Sequence, residues 1–261
     1  MTEVAFVNNE FVSTQQAKVS VFDRGFLFAD GVYEVTSVLD GKLVDNSGHM
    51  ARLNRSLSEL NMPWPLSPEE IVELQRQLVS RNHVHEGTVY LQITRGSAPR
   101  DFAYPKKPEP TLVMFSSSRP LVENPAAITG ITVITTPDIR WARRDIKTVG
   151  LLAASMAKQS ALDQGADDAW FEEDGVITEG TSNNAFIVDA QGNIITRQVG
   201  HKILAGITRS SVMALCQSEQ YHLVERPFTV AEAHEASEAF VTSASTFVLP
   251  VVSIDGHRIG N

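Results

Sequence analysis

Lys147 stands in Arg143-Arg144-Asp145-Ile146-Lys147-Thr148-Val149-Gly150, just ahead of an apolar, Ala-rich stretch. Most lysines are solvated surface. Here apolar neighbours and two nearby arginines both favour the neutral amine, the form that makes a Schiff base with a carbonyl. Thr178-Glu179-Gly180-Thr181-Ser182-Asn183-Asn184 puts a carboxylate ahead of a glycine and a run of hydroxyls and amides. Standing alone it is a polar hairpin loop. As chemistry it is a carboxylate for a protonated ring nitrogen, beside donors for an anion. Ala205-Gly206-Ile207-Thr208-Arg209 is a glycine turn running into a helix. Free N–H groups and the helix dipole favour an anion there, a property every capped helix shares. Arg52, in His49-Met50-Ala51-Arg52-Leu53, reads by itself as a surface arginine, and Thr242-Ser243-Ala244-Ser245-Thr246 as a hydroxyl-rich loop or a further anion cradle.

Antiparallel sheet and amphipathic helices must position these residues. Asp40-Gly41 lies between short β-prone runs at 34–39 and 42–44, Asp174-Gly175 between 169–173 and 176–178, and Asp255-Gly256 follows 248–254. Asp-Gly in that setting signals a hairpin, because glycine accepts the positive φ of a type I′ turn. Gln191-Gly192, between 185–188 and 193–196, suggests another. Further strands are expected at 89–94, 111–115 and 131–136. Met50, Leu53, Leu57 and Leu60 repeat at helical spacing. Ser67-Pro68-Glu69-Glu70 and Thr229-Val230-Ala231-Glu232 are capping boxes. A helix over 151–164 ends at Gly165, and one over 208–216 opens with the Thr208 hydroxyl as its cap. The Ser-rich stretch 116–124, holding Arg119-Pro120, reads as the boundary. The expected fold is α+β: a small N-terminal domain over 1–117, a linker over 118–124, and a larger C-terminal domain over 125–261 that carries Lys147, with a ligand site between them.

Composition excludes several classes. The 261 residues carry 22 Lys+Arg against 31 Asp+Glu, a net charge of −9, which argues against general nucleic-acid binding. A lone Cys216 excludes an internal disulfide framework and a Cys-rich zinc site, and fits a reducing compartment. No apolar run approaches the roughly 20 residues of a membrane helix. Met1-Thr2-Glu3-Val4 lacks the regions of a signal peptide. The expectation is a cytoplasmic, enzyme-sized protein with no membrane partner and no metal.

A reactive lysine, a carboxylate and several phosphate donors together describe a pyridoxal phosphate (PLP) site, one reading among many on residue types alone. The order of the segments narrows it. Asp23-Arg24-Gly25 and Asp30-Gly31-Val32-Tyr33-Glu34, then His49-Met50-Ala51-Arg52-Leu53, Asp145-Ile146-Lys147, Thr178-Glu179-Gly180 with Asn183-Asn184, and Leu204-Ala205-Gly206-Ile207-Thr208-Arg209 resemble the fold-type IV PLP enzymes, the class IV aminotransferases, over nearly the whole chain. The loop Thr94-Arg95-Gly96-Ser97-Ala98-Pro99-Arg100 is similar to that of the family's D-amino-acid transaminase branch.

The resemblance implies two α/β domains with the cofactor between them. It implies Lys147 as the Schiff-base lysine and proton carrier, and Glu179 as the partner of the pyridine nitrogen. Leu204 would pack on the ring. Arg52, the backbone of Ile207 and Thr208, and Ser243 would hold the phosphate. Ala244 stands where family members carry a hydroxyl, so Ser243 or Ser245 would supply that contact. Arg100, helped by Tyr33, would clamp the substrate carboxylate in the site of a partner subunit, which implies a homodimer with shared active sites. Phe102 replaces a histidine of the family pattern, removing a carboxylate donor and adding apolar surface. The reaction implied moves an amino group from a small amino donor, a D-amino acid, to a 2-keto acid. An (R)-selective amine transaminase, a branched-chain aminotransferase and an aminodeoxychorismate lyase would share the cofactor residues. A non-catalytic small-molecule-binding protein would need only the pocket. The family continues beyond position 261 with a Gly-Pro segment and a terminal helix, so a further C-terminal segment is expected.

Overall fold

The computed structural model describes residues 3–260. The chain divides into two compact units. One runs to Leu121 and includes Ile146–Gly150; the other comprises Val122–Asp145 and the chain from Leu151 onward.

The first unit is built in the order β1 (Val4–Val7), β2 (Glu10–Ser13), α1 (Arg24–Phe28), β3 (Gly31–Leu39), β4 (Lys42–Leu43), α2 (Asn46–Glu59), α3 (Pro68–Arg81), β5 (Gly87–Thr94) and β6 (Thr111–Ser118). Its strands form one six-stranded sheet, ordered β2-β1-β6-β5-β3-β4. Asp40 and Gly41 turn β3 into β4 with φ of 49° and 69°, as a type I′ turn requires. Along β3, Val32, Glu34, Thr36 and Val38 are buried while Tyr33 and Val35 are half-buried, the period of two that sends neighbouring side chains to opposite faces. Met50, Leu53 and Leu57 of α2 join Ile71 and Leu78 of α3 and Val89, Leu91 and Ile93 of β5 in one core. Ser67 accepts from Glu70 N while the Glu70 carboxylate accepts from Ser67 N, so α3 begins in the expected capping box.

The second unit contains α4 (Ala126–Thr129), β7 (Ile131–Pro137), α5 (Leu152–Asp163), β8 (Asp168–Glu173), β9 (Val176–Gly180), β10 (Asn184–Val188), β11 (Ile194–Thr196), α6 (Ile207–Ser218), β12 (Leu223–Glu225), α7 (Val230–His234), β13 (Glu238–Ser243), β14 (Phe247–Ile254) and β15 (His257–Arg258). The sheet runs β12-β11-β10-β13-β14-β7-β8-β9, and β15 pairs with β14. Asp174-Gly175 and Asp255-Gly256 both have positive φ and close the β8–β9 and β14–β15 hairpins. Trp170, Phe228, Val241 and Ile254 lie in its main core.

Three sequence expectations change. The Thr178-Glu179-Gly180 segment is the end of strand β9, with Glu179 buried, rather than a solvated loop. The cap of α6 is Gly206, in extended conformation and without a side-chain cap bond, so Thr208 lies inside the first turn. The segment 146–150, assigned from sequence to the C-terminal domain, packs with the first unit: Tyr33 N donates to Lys147 O at 3.0 Å, Val149 N to Gly31 O at 3.1 Å, and Val32 bridges Thr148. Backbone pairing with an edge of β3 outweighs position along the chain.

Candidate active site

In the first unit, β3 and α2 bring the titratable groups together. Glu34 is 1% exposed and faces α2. Its carboxylate accepts from Arg52 Nε at 2.8 Å and Arg52 NH2 at 2.7 Å, and pairs with His49 Nδ1 at 2.7 Å. The H-x-x-R spacing, three residues on a helix, is what lets His49 and Arg52 reach one carboxylate. Burial opposes the charge on Glu34, but hydrogen bonds and charge from Arg52, the His49 contact and the Lys147 charge together hold it down at about 2. It is an ionised group inside the fold.

Lys147 is half-buried, its Nζ 4.1 Å from the centre of the Tyr33 ring. Tyr33 stacks on Tyr90 at 5.5 Å, and Tyr90 on Phe115 at 4.7 Å, an aromatic row across β3, β5 and β6. The Lys147 backbone N–H points to Ser56 Oγ of α2 at 3.4 Å. The arginines that sequence reading set beside this lysine are engaged elsewhere. Arg143 pairs with Asp145 at 3.0 Å, and Arg144 with Glu173 at 3.0 Å and Asp138 at 3.3 Å.

Arg100 and Phe102 lie on the loop after β5. Both are exposed, Phe102 at 80%. The Arg100 guanidinium lies 5.3 Å from the Phe28 ring and 5.8 Å from Phe102, and the two rings are 5.5 Å apart.

In the second unit, Glu179 is the centre. One carboxylate oxygen accepts from Arg140 NH1 at 2.7 Å, the other from Asn184 Nδ2 at 3.0 Å and Leu204 N at 3.1 Å. Burial pushes its carboxyl up, the nearby Asp138 charge adds to that, and Arg140 and the Leu204 N–H pull the other way. Arg140 is itself shared, donating to both oxygens of Asp138 at 2.9 and 2.7 Å and lying 4.2 Å from the Phe171 ring. Asp138 is held below the usual carboxylate range; burial works against this, and Arg140, Thr178 and Arg144 overcome it.

Asn184 braces the whole group. Besides Glu179 it donates to Leu204 O at 2.9 Å, and its Oδ1 would lie 2.0 Å from any Cβ added at Gly206. Gly206 is therefore required by close packing, its φ of −67° being ordinary. This contact sets the uncapped start of α6, with the backbone of Ile207 and Thr208, beside the Glu179 brace. Ser243 and Ala244 lie at the β13–β14 turn, where Ser243 Oγ contacts Thr246 Oγ1 at 2.7 Å and Ser245 Oγ at 3.3 Å. A cleft of about 280 Å³ opens at this turn, lined in part by Ser243, Ser245, Thr246, Asn183 and Asp168. Thr242 Oγ1 and Asn183 Oδ1 are buried with no hydrogen-bond partner among the described residues.

The structure thus gathers Tyr33, Arg52 and Lys147 in one unit, and Glu179, Leu204, Ile207 and Thr208 in the other. Sequence reading gave no role to Glu34, His49, Asp138, Arg140 or Asn184. Glu34, His49 and Asn184 stood inside quoted motifs. Asp138-Ile139-Arg140 carried no signal beyond a charged pair, because its meaning lies in contacts to β9.

Residues 31–254 match the family described as Amino-transferase class IV. The D-alanine aminotransferase of Staphylococcus epidermidis is 39% identical over 262 aligned positions, covering 99% of this chain and 91% of that protein. The chain belongs to the class IV aminotransferase family. Enzymes of this family use PLP. Among solved structures, the branched-chain amino acid aminotransferase of Escherichia coli superposes with a TM-score of 0.91 at 21% identity, over 100% of this chain and 89% of that one. The T.th. branched-chain amino acid aminotransferase with pyridoxamine 5′-phosphate gives 0.91 at 25% identity, over 100% and 88%. The aminotransferase is therefore an enzyme of fold type IV, and the reading as a binding protein without catalysis falls away. Among the described residues of this aminotransferase, no helix is long and apolar enough to cross a membrane.

Proposed function

We propose that this aminotransferase moves an amino group between D-amino acids and 2-keto acids with PLP as its cofactor. Similarity over 99% of this chain and 91% of a protein named D-alanine aminotransferase, on a chain whose exposed loop presents Arg100, carries the reading. The donor set fits the cofactor. Lys147 offers an amine to a carbonyl. Glu179 is a buried carboxylate with its orientation fixed by three donors. The α6 start has no side-chain cap, which leaves backbone N–H groups for a phosphate. The Thr242 hydroxyl is an unspent donor next to the hydroxyl turn.

When bound, PLP supplies an electron sink for the charge left at the substrate Cα. Lys147 Nζ would take the proton from that Cα as general base and, as general acid, deliver it to the carbon that had been the cofactor's carbonyl. Glu179 holds a proton at the ring nitrogen. Leu204 packs against the ring. Arg52, the Ile207 and Thr208 N–H groups, and Ser243 beside Ala244 hold the phosphate. Glu34 orients Arg52 through the two-pronged ion pair, which fixes the guanidinium plane. Arg100 clamps the substrate carboxylate with Tyr33 beside it, and does so in the partner's site of a homodimer. We place the enzyme in the cytoplasm, where its lone Cys216 stays reduced.

The exposed Phe102 favours a second reading, an (R)-selective amine transaminase, because an apolar ring suits a substrate without a carboxylate. The test is absorption spectroscopy of the purified holoenzyme with D-alanine, L-leucine or (R)-1-phenylethylamine and no acceptor. Conversion of the lysine-bound cofactor to its amine form by D-alanine is the expected result, and Lys147→Ala abolishes it. Conversion by the amine alone establishes the second reading; conversion by L-leucine alone makes the substrate loop that of a branched-chain enzyme.

A further inference from the structure

Arg24 is a buried cation that the proposed chemistry does not use. It begins α1, is 3% exposed, and lies far in sequence from the residues it holds. Its NH1 donates to Asp101 O at 2.6 Å and Ala103 O at 3.4 Å, and its NH2 reaches Phe102 O at 3.5 Å. One guanidinium thus gathers three successive carbonyls of the loop that presents Arg100 and Phe102. The group is fixed from behind. Arg24 Nε pairs with Asp30 at 2.7 Å, and Arg95 Nε pairs with the same carboxylate at 2.9 Å. Arg95, also buried, donates to Leu60 O at 2.9 Å and Asn61 O at 3.2 Å, so the anchor reaches the C-terminal end of α2. Aromatic rings close the sides: Phe28 lies 4.7 Å from the Arg24 guanidinium, and Tyr104 lies 3.6 Å from that of Arg95. The α1 turn is locked too. Asp23 accepts from Gly25 N at 2.8 Å and from Thr94 Oγ1 at 3.0 Å.

We propose that Arg24 is a positioning residue for substrate recognition: braced by Asp30 and Arg95, it clamps the 101–103 carbonyls and so holds Arg100 and Phe102 at a fixed height above the sheet. A planar fork is required for this. Lysine offers three donors on one nitrogen, without the flat spread that lets NH1 and NH2 span the carbonyls while Nε holds Asp30. The inference rests on the proposed role of Arg100 as the carboxylate clamp.

Arg24→Gln removes the fork and leaves Asp30 paired with Arg95, so the fold survives. In the full-length holoenzyme, amide exchange over 99–104 is expected to quicken at least ten-fold, with 146–150 unchanged. The KM for D-alanine rises about ten-fold while kcat stays within two-fold. Arg24→Gln added to Arg100→Ala leaves KM within two-fold of Arg100→Ala alone, because both act through one group. Arg24→Lys shows the same changes at smaller size and serves if the glutamine variant does not fold. Unchanged exchange over 99–104, a lower melting temperature with KM unmoved, or additive effects in the double variant each overturn the proposal. Failure of the wild-type enzyme to convert D-alanine overturns the proposed function instead, and the exchange result then decides the clamp by itself.

Discussion

Glu34 and Glu179 are both buried glutamates, each held by an arginine, yet they are pushed in opposite directions. Glu34 is drawn down to about 2 and Glu179 is raised above its ordinary range. Burial penalises both charges, so the difference lies in their partners. Arg52 turns two nitrogens on Glu34, with His49 and Lys147 adding to the attraction. Arg140 gives Glu179 one nitrogen and spends two on Asp138, whose own negative charge lies close enough to raise Glu179 further. A buried carboxylate stays ionised when it owns its cation; sharing the cation with a second carboxylate weakens the hold. The first arrangement suits a fixed strut for Arg52. The second suits a group whose charge is completed by a protonated ring nitrogen.

Breaking the first pair is expected to cost most. Glu34→Gln leaves the half-buried Arg52 and the buried His49 beside a neutral amide, and stability falls by about 3 kcal/mol in a denaturant titration. The acid limb changes with it. Since the folded pKa of Glu34 is depressed, its stabilisation is complete above pH 4.5 and is lost as pH falls towards about 2. That is roughly 3 kcal/mol from the size of the shift. The variant's stability should be flatter across that window than the wild type's. Glu179 has the opposite sign: its folded pKa is raised, so its contribution weakens as pH climbs from 4.5 through the folded value.

Glu179→Gln should therefore cost less stability than Glu34→Gln, since the site already disfavours the charge. Its effect falls on turnover, which drops on the order of 10²-fold because an amide holds no proton at the ring nitrogen. Comparable losses of stability in the two glutamine variants would erase the distinction between the sites. Gly206→Ala sharpens it by attacking the brace instead of the charge. The new Cβ would meet Asn184 Oδ1 at 2.0 Å, and a melting experiment should show about 1–2 kcal/mol lost while Glu34's acid limb is untouched. The smallest change is Arg140→Lys. An ammonium cannot fork Asp138 and hold Glu179 together, so Glu179 rises further. The stability lost grows as pH rises above 4.5, read from melting temperatures across the titration.

Local chemistry was legible in the residues themselves. Asp40-Gly41, Asp174-Gly175 and Asp255-Gly256 all turn hairpins, because the backbone needs positive φ within two residues. Ser67 and Thr229 cap their helices through a glutamate three positions on. Met50, Leu53 and Leu57 announce the buried face of α2, and the order of the motifs identifies the family. Where the donors point was not legible. Glu34 lies 15 and 18 positions from His49 and Arg52, and Glu179 lies 39 from Arg140.

Sequence alone thus determined the hairpin turns, the two capping boxes, the helix faces and the family, since each depends on residues within a few positions or on their order. Tertiary structure decided the rest. It paired 146–150 with β3, made Gly206 and not Thr208 the start of α6, gave Arg24 its hold on 101–103, and set one buried glutamate below its ordinary pKa and the other above. Each of those outcomes is a competition for a partner distant in the chain, and only the packed fold brings the competitors within reach.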